Sequence, residues 1–327
     1  MDLQATKPQP TDQRAAGQIL ASRQRTERRA SVLFKGLTLF PILIFLVILV
    51  VLIARSLPIL QQKSLTDLLF GQIWRPSEGV FGFLPFIAGS LWVTGIAILL
   101  AAPVSILCAI YLSEYAKPVV RTTIKPLIDI LAAIPSVVYG LWGVLVIVPW
   151  VGDSFAPFVE STLGFLPFLQ SKNPTGYSIL SGAIVLAVMV TPFIIAISYE
   201  VMHTVPRGYH EASLAVGATR WQTVRYVIFP RVASGLAAGV VLGISRAFGE
   251  TMAVLMVVGN NPNIPKSILD AAYPLPALIA NNYGEMMSIP LYDAALLGSA
   301  LLLLIIVLIF NVLATLVLRK VTGKGQE

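Results

Sequence analysis

Cysteine, histidine and charge are all scarce in this 327-residue chain. The one cysteine, Cys108, closes no internal disulfide and builds no zinc site. Two histidines, His203 and His210, are too few for a metal cluster, so no metal is expected. Charged residues make up 12% of the chain, where a soluble domain carries about 25%. A Gly-x-x-x-x-Gly-Lys-Ser/Thr phosphate loop is missing, and Gly323-Lys324-Gly325 lacks its spacing. No nucleophile–base pair is legible either. These absences argue against an ATPase, a metalloenzyme and an ordinary soluble enzyme. The expectation is a non-catalytic chain with no cofactor of its own.

What is present is apolar. Hydrophobic residues reach 56% and mean hydropathy is +0.81. Long apolar runs suit a bilayer as solvent. The first, Gly36 to Ala54, is flanked by Lys35 and Arg55. Some 19 residues rising about 1.5 Å each cover roughly 30 Å, one hydrocarbon thickness. A signal peptide would have a shorter core and a small-residue cleavage site. Arg55-Ser56-Leu57-Pro58 is not one, so the run reads as a retained span. Further runs cover about 83–112, 127–150, 179–199, 232–258 and 291–318, with Pro103, Pro135 and Pro192 expected to kink or break three of them. The fold expected is all-α, an integral membrane protein with about six transmembrane helices.

Net charge is +7, and its distribution sets orientation. One alternate set of connecting segments holds 17 Lys and Arg, the other 5, and Arg246 is left inside the fifth run. The positive-inside rule then puts both termini in the cytoplasm. The basic residues sit in tails and loops, not on one clustered face, so membrane lipid and not nucleic acid is the expected contact. Residues 1–32 read as a disordered basic tail, 33–55 as the first span, 56–82 as an external loop, 83–318 as the core with a cytoplasmic loop at about 200–231, and 319–327 as a second tail. Outer loops at 151–178 and 259–290 read as short irregular caps.

The loop between the fourth and fifth spans runs His203-Thr-Val-Pro206-Arg-Gly-Tyr-His210-Glu211-Ala212-Ser213-Leu-Ala-Val-Gly217, then Ala-Thr219 onward to Pro230. Pro206 suits a helix start, Gly217 a left-handed helix end, and Thr219 the cap of a second helix that Pro230 stops. Small apolar residues on the first helix need a partner. They pack either on the chain's own spans or in a groove of another protein. Glu211-Ala212-Ser213, Gly217 after three intervening residues, and Val227-Ile228-Phe229-Pro230 together resemble the EAA loop of binding-protein-dependent ABC importer permeases. The departures, at Ser213, Val227 and Phe229, are mild changes of size. The resemblance covers roughly residues 83–318. It implies the type I permease fold and a coupling helix in which Glu211, Ala212, Ser213, Gly217 and Pro230 engage an ATP-hydrolysing subunit. ATP would be used by that partner alone.

The fifth span contains Arg246 and Glu250, four residues apart, so one helix would pair them. A mid-bilayer charge costs about 2.5–3.5 kcal/mol on insertion scales, which makes both conspicuous. Gly235, Gly239 and Gly243 precede them on nearly the same face, for close helix approach or for a path. Either the pair is a structural bridge, or Arg246 offers its fork to a passing anion while Glu250 orients it. Gly249-Glu250-Thr251-Met252-Ala253-Val254-Leu255-Met256 with Gly259-Asn260 is similar to a segment of the PstC family of phosphate importer permeases. That resemblance implies a substrate path at Arg246, Glu250 and Thr251. It also implies a PstA-like permease as heterodimer partner, an ATPase dimer and an external phosphate-binding protein. Ser136 and Thr191, beside Pro135 and Pro192, are further candidates for the path, where broken helices free backbone groups. Each could equally bond its own helix. Tyr139 and Asn311 read as helix–helix contacts, and both histidines as solvated loop residues. The alternatives are a related permease for sulfate or molybdate, or a secondary transporter or channel.

Overall fold

The computed structural model describes residues 10–170, 173, 175–284 and 289–323. Residues 1–9 and 324–327 of the expected tails lie outside it. The chain divides into two units, Met1–Ala54 and Arg55–Glu327.

The first unit is helical. Helix α1 runs Pro10–Gln62, and 45 of its 53 residues, Pro10 to Ala54, belong to this unit. The tail expected to be disordered is therefore helical from Pro10. Ala, Gln and Arg are good helix formers, and no proline lies between Pro10 and Pro41 to stop them. At its other end α1 continues past Arg55 and Pro58, which shortens the expected external loop.

In the second unit the loop that remains is ordered. Helix α2 (Leu65–Phe70) is capped by Ser64, whose hydroxyl accepts Thr66 N–H at 3.2 Å. Strands β1 (Trp74–Arg75) and β2 (Val80–Phe81) pair antiparallel across a turn with Gly79 at φ 67°. Trp74 meets Phe81 and Phe86 edge-on at 5.4 and 5.1 Å. That aromatic cluster fastens the hairpin onto helix α3 (Leu84–Ile110).

Among the described residues, six helical segments are long and apolar enough to cross a membrane: Ala30–Gln62, Leu84–Tyr115, Ser136–Thr162, Ile179–His203, Arg220–Phe248 and Tyr292–Leu316. The chain is a multi-pass membrane protein. Proline behaves differently from the expectation at several points. Helix α3 passes through Pro103 unbroken. Pro135 does break the helix: the residue before a proline is disfavoured in the helical region, and here Ile134 is extended, with ψ 132°. The expected span at 127–150 is thereby replaced by a separate helix α4 (Pro118–Ala133) and a later span. That span joins α5 (Ser136–Trp142), α6 (Val148–Trp150) and α7 (Ala156–Leu163) through π-turns at Gly143–Ile147 and Val151–Phe155.

A third π-turn, Thr223–Ile228, joins α10 (Arg220–Gln222) to α11 (Phe229–Phe248). Each of these turns contains the residue four positions before a proline: Leu145 before Pro149, Asp153 before Pro157, Tyr226 before Pro230. A helical proline lacks an N–H and collides with the carbonyl four residues earlier. Widening that turn removes the collision and keeps the helix running. Pro230 therefore does not stop its helix, as the sequence alone suggested. It sits in the first turn of α11, within one helical run from Arg220 to Phe248.

Helix α8 (Ile179–His203) is central, with Ile179, Leu186, Met189, Val190 and Ile194 almost wholly enclosed. Its neighbours include α3, α4, α11 and the short α12 (Met252–Val257). The glycine stripe settles as packing and not as a path. A Cβ on Gly235 would stand 2.4 Å from Val201, on Gly239 3.0 Å from Ile197, and on Gly243 2.7 Å from Ile194. Bare backbone there lets α11 lie against α8. Helix α9 (Arg207–Ala215) follows α8, and α13 (Leu275–Asn282) and α14 (Tyr292–Gly323) close the chain.

Candidate functional site

The fifth span is broken where its charges lie. Helix α11 ends at Phe248, and Gly249-Glu250-Thr251 separates it from α12. Arg246 therefore lies on α11 and Glu250 in the break after it, and the expected ion pair does not form among the described residues. The two charges are compensated separately. Arg246 occupies the last turn of α11, where unpaired carbonyls favour a cation. Glu250 precedes α12, and its Oε1 accepts Ala253 N–H at 3.2 Å, where an anion is favoured.

The second break lies beside the first. The Arg246 guanidinium donates to the Ala132 carbonyl at 3.4 Å, in the last turn of α4. Its carbon stands 5.0 Å from the centre of the Phe193 ring. The Tyr139 hydroxyl donates to Leu131 O at 2.8 Å in the same turn of α4. Helix α5 packs on α12 so closely that a Cβ on Gly140 would meet the Ala253 Cα at 3.1 Å. The result is one neighbourhood built from two interrupted helices. Arg246 is half-buried there, and its single hydrogen bond among the described residues is long. A guanidinium has five N–H donors. Most of them have no protein acceptor among the described residues.

Of the other path candidates, Glu250 and Thr251 form the break itself, both half-buried, and the Thr251 hydroxyl donates to Gly249 O at 3.3 Å. Ser136 opens α5 directly after the other break and is half-buried. Thr191 is not joined to this group by any described contact. Its hydroxyl donates to Ala187 O at 2.8 Å on its own helix, and its carbonyl accepts from Ser105 at 3.2 Å. It lines an apolar groove of about 430 Å³ with Leu100, Val104 and Ile128. Asn311 does join helices, accepting from Ser245 at 2.8 Å next to Arg246. The Ala132 carbonyl and the Phe193 ring were not legible beforehand, because both depend on which helices meet.

The loop at 200–231 has the expected form. Pro206 leads into α9, Gly217 follows it at φ +85°, and Thr219 caps α10 in a reciprocal box with Gln222. Gly217 N–H donates to Leu214 O at 3.0 Å and Ala218 N–H to Ser213 O at 3.2 Å. These bonds occupy carbonyls that a helix end leaves open. Glu211, Ala212 and Gly217 are exposed, with Leu214, Val216 and Trp221 forming an apolar surface around the elbow. Ser213 differs from that group. It is buried and bonds Thr223 at 2.9 Å, so it clamps the hairpin from inside. Arg231 lies 4.0 Å over the Tyr209 ring and ties α9 to α11. His203 is exposed, as expected, but ends α8, and His210 is half-buried on α9. His203 stacks on Tyr199 at 4.3 Å, and His210 bonds Glu114 at 3.0 Å.

Residues 101–323 match the family described as the binding-protein-dependent transport system inner membrane component. The phosphate transport system permease protein PstC of Xylella fastidiosa is 38% identical over 254 residues, covering 77% of this chain and 78% of that one. The PstC of Haemophilus influenzae is 36% identical over 296 residues, covering 88% and 93%. An inward-facing structure of the MetNI methionine ABC transporter overlays with a TM-score of 0.50 at 20% identity, covering 71% of this chain and 93% of that one. This last likeness shows the type I importer permease fold.

Proposed function

The chain belongs to the family of binding-protein-dependent transport system inner membrane components, and from that membership we propose that it is the permease subunit of an ATP-driven importer of inorganic phosphate. The observation that carries the substrate is Arg246, a half-buried guanidinium between two helix breaks, held by one long hydrogen bond. Phosphate oxygens match its forked donors. A helix end and a backbone carbonyl, not a carboxylate, compensate it, so an anion displaces no strong partner. Weak retention is what a transporter needs, since the substrate must leave. Glu250 and Thr251 shape the break, and Ser136 borders it from α5.

The remaining parts follow from the same reading. A second, PstA-like permease completes the path, two ATPase subunits dock at the exposed elbow around Gly217, and an external binding protein delivers phosphate. Both termini lie in the cytoplasm of a bacterium with the protein in its inner membrane, as the basic segments favour. ATP serves the partner only. The test is uptake by proteoliposomes holding the assembled complex. Arg246→Gln is expected to assemble, retain its ATPase and lose phosphate uptake. Normal uptake by that variant overturns the assignment. Competition by sulfate or molybdate as strong as by phosphate would place the chain with a different oxyanion, and flux through this chain alone would make it a channel.

A further inference from the structure

Helix α9 is tied down in three places, two of them onto the run Arg220–Phe248 that follows it and one onto an earlier span. Ser213 with Thr223, and Tyr209 with Arg231, fasten it to the segment that follows it. His210 points elsewhere. Its Nε2 lies 3.0 Å from Glu114 Oε2, and Glu114 is 96 residues away in the chain. Glu114 belongs to the π-turn Tyr111–Tyr115 that finishes the span begun by α3. The carboxylate is well enclosed, at 11% side-chain exposure, and the imidazole at 27%.

The surroundings fix this contact. Glu114 Oε1 accepts the Ser113 hydroxyl at 3.0 Å. Arg121 of α4 donates through Nε to Leu112 O at 3.1 Å and through Nη2 to Ser113 O, holding the turn rigid. His210 Nδ1 is buried without a partner. A ring with one nitrogen bonded and the other enclosed and unpaired is held by a single directional bond. That is a connection which can transmit or release.

We propose that His210 is a positioning residue for energy coupling, its bond to Glu114 carrying movement of α9 into α3. The inference rests on the importer reading given above. When an ATPase moves the exposed elbow, the clamps at Ser213 and Arg231 carry the motion toward α11, and His210 carries it to a second span. Both spans touch α8, so they rearrange together only if both are driven.

The test uses the complete transporter in proteoliposomes and reads phosphate taken up per ATP hydrolysed. His210→Ala and Glu114→Ala should each lower that ratio about fivefold, the scale at which single contacts tune coupling. The ATPase should co-purify with both as with the unaltered chain. The double variant should fall no further than either single one, and His210→Gln, which keeps a donor at the Nε2 position, should retain the ratio. An unchanged ratio in either alanine variant, additive losses in the double, or loss of the ATPase in step with uptake would each overturn the proposal. If the unaltered chain neither co-purifies with an ATPase nor moves phosphate, the importer reading fails instead.

Discussion

Replacing Gly217 separates two reasons for a glycine at the elbow. Its φ is +85°, while a Cβ built there meets nothing within 4 Å. On this chain the requirement is therefore conformational and not steric. A non-glycine residue in the left-handed region costs roughly 1–2 kcal/mol, and a β-branched one more, whereas asparagine tolerates it. A cost of about 1–2 kcal/mol changes the population of the native elbow about 5- to 30-fold. Gly217→Asn should thus leave ATPase retention and phosphate uptake close to normal, Gly217→Ala should reduce both several-fold, and Gly217→Val should reduce them most. The assay is co-purification in mild detergent, followed by uptake at matched protein. If asparagine and valine are equally damaging, bulk at a partner's surface is what matters, and the conformational argument is refuted. If valine is harmless, the elbow geometry has no role.

Other expectations follow from single contacts. Thr191→Val should leave uptake within about twofold, because that hydroxyl is engaged by its own helix; a large loss would return Thr191 to the path. Gly239→Leu should destabilise the solubilised protein by about 1–3 kcal/mol through collision with Ile197, seen as a lower Tm, while Gly95→Leu, with open space around it, should not. Glu250→Ala should cost about 0.5–2 kcal/mol by uncapping α12, and Glu250→Gln, which keeps an acceptor, much less. A Tm equally lowered by both would show that charge and not the cap matters at Glu250.

The number of spans and the helix–glycine–helix loop were legible in the sequence, because apolar length and turn chemistry each have a local signature. The Arg246–Glu250 pair was misread for a nameable reason. Spacing of four implies a shared face only if the helix is continuous, and Gly249 lies between them. Ser213 was placed at the docking surface because the motif is contiguous, while a helix turns about 100° per residue and aims neighbours differently. His210 was unreadable, since its partner is 96 residues distant. The prolines needed the π-turns to be seen. Pro135 ends a helix and Pro230 does not, and nothing within the two residues themselves tells them apart.

The unbroken run from Arg220 to Phe248 makes a stiff rod with a foot at the Gly217 elbow and a tip at the Gly249 break. At about 1.5 Å per residue, Arg246 rides roughly 39 Å from the base. Pivoting the foot by about 3° would swing that guanidinium by roughly 2 Å, enough to lengthen a 3.4 Å contact past bonding range. The widened turn before Pro230 thus does more than tolerate an awkward residue. It leaves the rod in one piece, so that a small tilt at the elbow is felt at the Gly249 break.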